Sequence, residues 1–169
     1  EGNLLLFCFG DAGAALNKDT GAKVWCNGQG TSYMTPYVYT SGPDRIAAMG
    51  RNMTGDGAGV RVSDGTIMWS FTSPADGAFS STDLIVYNNK VLYSSGYYNG
   101  PTCVAFALGS GTLAQAWNTG VLGSRCTPNV LYNNYVYGTD GCSYTLVCMN
   151  PDTGEQIWRQ AGTGNSVYD

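Results

Sequence analysis

The fold this sequence predicts is all-β: repeated four-stranded antiparallel units wound as the blades of a β-propeller. Three observations carry the prediction. Trp25, Trp69, Trp117 and Trp158 recur at spacings of 44, 48 and 41 residues, each closing a similar phrase: DTGAKVW, SDGTIMW, GSGTLAQAW and DTGEQIW. A fixed turn followed by a fixed aromatic at such a period is the signature of a repeat architecture. Between the tryptophans lie short β-branched and aromatic runs bounded by Asn, Gly, Asp or Pro, which are strand and turn signals. No stretch sustains the apolar spacing of a helix. Four short strands in a period of this length make one propeller blade.

The elements follow in order. Residues 1–31 form a partial blade, with strands at Leu4–Phe9, Gly13–Asn17 and Lys23–Cys26 and no inner strand ahead of them. Three whole blades span about 32–74, 75–121 and 122–162, with outer-strand tryptophans at Trp69, Trp117 and Trp158. The third blade reads as strands at Asp83–Tyr87, Lys90–Ser94, Thr102–Leu108 and Thr112–Asn118, with a turn at Asn88-Asn89. The fourth repeats this at Pro128–Tyr132, Tyr135–Gly138, Tyr144–Asn150 and Glu155–Arg159, with its turn at Asn133-Asn134. Residues 163–169 start the next blade. The Asp-Thr-Gly turns place Gly21 and Gly154 where a positive φ carries no Cβ penalty. The third copy has two extra residues between its glycine and its tryptophan, which predicts a longer or bulged hairpin.

Composition narrows the chemistry. The chain has 12 acidic and 8 basic residues, a net charge of −4, which disfavours nucleic acid, whose binding needs clustered Lys and Arg. Hydrophobic content of 43% argues against disorder. No apolar run approaches the roughly 20 residues that span a bilayer, and Glu1-Gly2-Asn3 does not open a signal peptide, so the chain reads as a mature or excised segment. With no histidine in it, the chain holds no Ser-His-Asp or Cys-His site and no histidine-ligated metal. The six cysteines stand at successive spacings of 18, 77, 23, 16 and 6, with no Cys-x-x-Cys, which favours disulfides in an oxidising compartment over zinc. Asn52-Met53-Thr54 makes Asn52 a candidate glycan acceptor.

Residues 15–25, ALNKDTGAKVW, resemble the tryptophan-docking motif of pyrroloquinoline-quinone-type (quinoprotein-like) β-propeller repeats. In that motif an alanine, a Thr-Gly turn and a tryptophan lock adjacent blades, so the resemblance assigns docking to Ala15, Gly21 and Trp25. Residues 148–158, CMNPDTGEQIW, are a second copy in which Cys148 stands for the alanine, followed by Gly154 and Trp158. Weaker copies contain Gly65 with Trp69 and Gly111 with Trp117. Such propellers usually have six to eight blades, so about four blades imply a segment of a larger ring. A four-bladed ring completed by Ser166–Asp169 is the alternative. Blade topology brings Cys126 and Cys142 to one rim as the best disulfide pair. A Cys8–Cys26 bridge would have to reach past an intervening strand, against a limit of about 7 Å between Cα atoms.

Two functions follow from the resemblance. The first is a non-catalytic extracytoplasmic scaffold (extracellular, cell-surface or periplasmic) that binds proteins, glycans or further blades without a cofactor. In that role it resembles the propeller lipoprotein of the outer-membrane barrel-assembly machinery, and Tyr97, Tyr98 and Asn99 are its candidate binding surface. A third reading is purely structural: a repeat segment of a large secreted or surface assembly in which the propeller is a spacer. The alternative is a fragment of a quinoprotein dehydrogenase that holds PQQ and Ca²⁺ largely outside this segment. The chain lacks the adjacent cysteines such enzymes often carry. Asp19, Asp64, Asp152 and Glu155 lie in or beside repeat turns, and Asp11, Asp56, Asp76 and Asp140 in loops, with no pair placed to act as base and partner. No catalytic, cofactor-binding or metal-binding residue is assigned.

Overall fold

The computed structural model describes residues 1–74, 82–96, 101–125, 127–141 and 145–161. These residues are strands and turns, with no helix among them. The first sheet contains β1 (Leu4–Phe7), β2 (Ala14–Asn17) and β3 (Lys23–Cys26) in that order. The second contains β4 (Tyr37–Ser41), β5 (Asp44–Arg51), β6 (Asp56–Arg61) and β7 (Ile67–Phe71), joined as an antiparallel meander. The third is built from β8 (Ile85–Tyr87), β9 (Lys90–Ser95), β10 (Thr102–Ala107) and β12 (Gln115–Thr119). The fourth contains β13 (Val130–Tyr132), β14 (Tyr135–Thr139), β15 (Leu146–Met149) and β16 (Gln156–Gln160). Residues 163–169, Ser166–Asp169 included, lie outside the described residues.

Local chemistry explains the tight meanders. Asn133 and Asn134 both take positive φ (48° and 64°), as a two-residue hairpin turn of the right twist requires, and Asn tolerates this better than most residues. In the turn after β2, Asn17 Oδ1 accepts the backbone N–H groups of Asp19 and Thr20 at 2.9 and 3.0 Å, while Gly21 N–H donates to Asn17 O at 2.8 Å. The fourth sheet repeats this device with Asn150 and Gly154.

The third copy of the phrase departs from a simple hairpin. Its connection from β10 to β12 is longer, as the two extra residues predict, and within it β11 (Gly111–Thr112) pairs in parallel with β7, opposite Trp69 and Ser70. The second sheet thereby gains a fifth strand and loses its free outer edge.

The core lies between the sheets. Ala15, Trp25, Val60, Val62, Trp69, Phe71, Tyr93, Val104 and Phe106 belong to one continuous buried cluster spanning the first three sheets. Phe71 and Phe106 stack at 4.2 Å between ring centroids, joining the second sheet to the third. A second cluster joins Ile85, Leu92 and Ala105 of the third sheet to Val136, Val147 and Met149 of the fourth.

Candidate binding rim and inter-blade contacts

Each tryptophan faces a small residue across its third and outer strands: Ala15 opposite Trp25, Gly59 opposite Trp69, Ala105 opposite Trp117 and Cys148 opposite Trp158. The register shifts immediately after each of these small residues, leaving Val24, Met68, Ala116 or Ile157 as the unpaired bulge residue. The bulge aims the indole back across its own sheet, so the residue beneath must be small. At Gly59 a Cβ would stand 2.1 Å from the Trp69 ring. The motif reading found Ala15 and Cys148 but missed Gly59 and Ala105. The signal that finds all four is a small residue ten positions before the tryptophan, or twelve in the third copy.

The other face of the indole meets the next sheet. Trp25 Nε1 donates to Val62 O at 2.9 Å, and its ring covers Gly65, where a Cβ would lie 2.8 Å from Cδ2. Asn27 Nδ2 adds a bond to Gly65 O at 2.8 Å. Trp117 covers Gly154 in the same way, with a Cβ position 2.9 Å from its ring, although its buried indole N–H finds no acceptor among the described residues. Trp69 is handled differently: its N–H donates to Tyr39 Oη at 2.8 Å, and β11 brings Gly111 alongside it. Trp158 has no such cover among the described residues; it is 40% exposed and packs beside Tyr137 of its own sheet. Nothing lies within 4 Å of a Cβ built on Gly21.

The connections β1–β2, β3–β4 and β5–β6 gather at one rim. There Asp11 accepts from Arg51 Nη2 at 2.5 Å and from Asn52 Nδ2 at 3.0 Å. Gly10 N–H donates to Gly30 O at 2.9 Å, and Ser32 N–H to Cys8 O at 3.0 Å, tying the first two loops together. Asn52 itself has φ 53°, and the amide nitrogen a glycan would occupy is the one bonded to Asp11. On the same rim Tyr33 and Met53 project into solvent, 62% and 37% exposed. The connection from Ser95 to Thr102 carries Tyr97, Tyr98 and Asn99, which lie outside the described residues.

Cys8 and Cys26 are not bridged. Cys8 follows β1 and Cys26 ends β3, with β2 paired between them, and two inter-strand steps of about 4.8 Å exceed the reach of a disulfide. Burial pushes the Cys8 thiol up to about 11 and that of Cys103 up to about 12, so both stay protonated. Cys148 is a buried free thiol beneath Trp158. Cys126 and Cys142 lie outside the described residues.

The loop carboxylates are held by structural partners. Besides Asp11, Asp56 Oδ1 accepts Ser73 N–H at 2.7 Å, and the buried Asp140 lies 3.4 Å from Arg159 Nη1. Asp76 lies outside the described residues. On the opposite rim Lys90 Nζ, 2.9 Å away, with help from Asn88, holds the Asp152 carboxyl below its ordinary value and links the third sheet to the fourth. A cleft of about 320 Å³ opens between the second and third sheets, lined by Tyr39, Asp44, Trp69 and Asn88 among others. Its one carboxylate, Asp44, already pairs with Arg61 at 3.1 Å. Among the described residues no three Cys, Asp or Glu side chains converge on a point that could hold a metal ion.

Against this geometry, the family described as outer membrane protein assembly factor BamB, of PQQ-type repeats, matches residues 7–164. The chain belongs to that family. No curated protein sequence matches it. Among solved structures, BamB from Moraxella catarrhalis superposes with a TM-score of 0.62 at 12% identity, over 95% of this chain and 51% of that one. Quinohemoprotein alcohol dehydrogenase from Comamonas testosteroni gives 0.65 at 12% identity, over 94% and 33%. The quinohemoprotein alcohol dehydrogenase ADHIIG from Pseudomonas putida HK5 gives 0.66 at 13% identity, over 94% and 32%. At these identities the likeness shows the β-propeller fold. The chain spans about half the length of that BamB and a third of either dehydrogenase.

Proposed function

We propose that the chain is a non-catalytic, extracytoplasmic propeller scaffold that binds protein or glycan partners through the rim carrying Asp11, Tyr33, Arg51 and Met53. The observation that carries this reading is the pairing of a fixed frame with exposed amphipathic side chains. The Asp11–Arg51–Asn52 network ties two blades together, and Tyr33 and Met53 stand beside it in solvent. A rigid aromatic side chain on a polar frame binds partners at little entropic cost, and a flexible thioether beside it adapts to the partner's surface. The description of the matching family, an assembly factor for outer membrane proteins, supports a protein partner and a location outside the cytoplasm. Tyr97, Tyr98 and Asn99 extend the proposed surface.

Photocrosslinking tests it against the quinoprotein dehydrogenase reading. A photoreactive residue at Tyr33 or Tyr97 is expected to give discrete adducts in the native host, while one at Asn88 on the opposite rim gives none. The same protein, mixed with PQQ and Ca²⁺ and passed through gel filtration, is expected to retain no quinone absorbance. Stoichiometric quinone retention without adducts at Tyr33 or Tyr97 overturns the scaffold in favour of the dehydrogenase.

A further inference from the structure

The junction between the second and third sheets is built unlike those on either side of it. Between the first and second sheets the Trp25 indole lies over Gly65, and between the third and fourth the Trp117 indole lies over Gly154. At the middle junction the turn glycine is Gly111, held in β11, and a Cβ built on it would meet nothing within 4 Å. Trp69 does not reach across with its N–H either. That group bonds Tyr39 Oη of its own sheet, whereas the N–H of Trp25 bonds Val62 O of the next. Where the other junctions are filled by an indole on a turn, this one holds the cleft of about 320 Å³. Ligand sites begin at about 300 Å³, so the space suits one small molecule. Both of its walls are sheets with a packed neighbour on either side.

The cleft is layered. Its inner part is apolar, with Ile46 buried and Tyr39, Met68 and Leu108 half-buried. Its mouth is polar: Asn88, Asn89 and Ser110 are exposed there, beside half-buried Asp44. Much of the hydrogen-bonding capacity around it is unused. Tyr39 Oη accepts from Trp69, but its own proton meets no acceptor among the described residues, and burial raises its pKa, so it stays a donor. Asn88 turns Nδ2 toward Asp152 at 3.3 Å, which leaves Oδ1 as an acceptor. Asp44 Oδ1 takes Arg61 Nε at 3.1 Å and leaves Oδ2. Leu108 N–H donates to Asn89 O at 2.8 Å, fixing the two turns of the third sheet together, while the Asn89 amide and the Ser110 hydroxyl bond nothing among the described residues. Charge is absent or neutralised: no Lys or Arg lines the cleft, and its one carboxylate is paired with Arg61.

We propose that this cleft is a binding site for one ring of a small, neutral, free saccharide. A sugar ring presents an apolar C–H face and a rim of hydroxyls that each donate and accept, which matches an apolar floor beneath mixed donors and acceptors. Other ligand classes fit less well. An anion finds no cation in the lining, and an ammonium finds only a carboxylate already paired with Arg61. A wholly apolar ligand would strip water from the Tyr39 hydroxyl and the Asn88 carbonyl without replacing its hydrogen bonds. The cleft opens at the rim opposite Asp11, Tyr33, Arg51 and Met53, so this inference stands or falls apart from the partner-binding surface proposed there.

Saturation-transfer NMR on the 169-residue chain tests it, with N-acetylglucosamine, galactose and maltose each titrated to about 50 mM. Transfer from protein to at least one of these sugars is expected, strongest at the ring C–H protons, with the weak, millimolar affinity of a small neutral ligand. Asn89→Ala is expected to weaken binding by about three- to tenfold, the loss of one or two hydrogen bonds. Ser110→Trp fills the mouth and abolishes it. Both changes fall on exposed turn residues, and near-ultraviolet circular dichroism verifies that each variant folds. Lys23→Ala, on exposed β3 and away from the cleft, leaves binding as it is. Transfer to none of the three sugars overturns the proposal, and so does binding that neither cleft variant changes. If N-acetyltyrosinamide binds in a manner that Ser110→Trp blocks while the sugars do not bind, the cleft receives a protein side chain and the saccharide assignment is wrong.

Discussion

Gly65 and Gly21 occupy the same turn position in successive repeats, with φ of 79° and 71°, but only Gly65 lies beneath an indole. Replacing each by alanine separates backbone strain from packing. Both substitutions place an L-residue in the left-handed region, at roughly 1–2 kcal/mol each. At Gly65 the new methyl would sit 2.8, 2.9 and 3.1 Å from Cδ2, Cε3 and Cγ of Trp25. Ordinary carbon contact needs about 3.5 Å or more, so the ring must move by several tenths of an ångström. It is not free to do so, because the indole is buried and its N–H is bonded to Val62 O at 2.9 Å. Overpacking of this kind costs about 1–3 kcal/mol, which brings Gly65→Ala to roughly 2–5 kcal/mol against 1–2 for Gly21→Ala. Urea unfolding, followed by tryptophan fluorescence, reads the difference as a shift of midpoint at unchanged slope. If the two variants agree within about 0.5 kcal/mol, the indole does not bear on the turn and the inter-blade reasoning fails.

Three further outcomes are expected. Gly59→Ala places a methyl 2.1 Å from the Trp69 ring, and it is expected to destabilise by about 3 kcal/mol or more; a loss below 1 kcal/mol would show that the bulge does not fix the indole. Asp152, whose carboxyl Lys90 holds below its ordinary value, contributes fully above that ordinary value and loses its contribution as pH falls through its lowered pKa. The stability gap between wild type and Asp152→Asn should therefore be larger at pH 7 than at about pH 2.5, and an equal gap at both would refute the linkage. Exposed Cys26 should take up iodoacetamide at neutral pH in the native state, whereas Cys8 and Cys103 label only on unfolding; peptide mapping that finds Cys103 labelled as fast as Cys26 would contradict its burial.

The fold was legible because each repeat needs the same local devices. Positive-φ positions at Gly21, Gly65, Gly111 and Gly154, Asn-Asn hairpins and β-branched runs are all properties of neighbours in the chain, and composition displays them. The candidate site was less legible. Asp11 meets Arg51 and Asn52 only because successive blades set their loops on one rim, and no spacing along the chain encodes that distance. Cys8 and Cys26 share the rim but are separated by β2, so closeness in topology did not make a disulfide.

The sequence by itself determined the repeat and the strand and turn chemistry, because these follow from steric limits within one blade; of the small residues opposite the tryptophans it disclosed Ala15 and Cys148 and left Gly59 and Ala105 to the register. Only the tertiary structure decided which tryptophans are covered. Trp69 is 2% exposed and Trp158 40%, although their outer strands read alike. It also laid β11, within the lengthened and bulged hairpin of the third copy, against the neighbouring sheet, where it covers an edge. Burial depends on what stands across the gap between sheets, and that partner is remote in the chain.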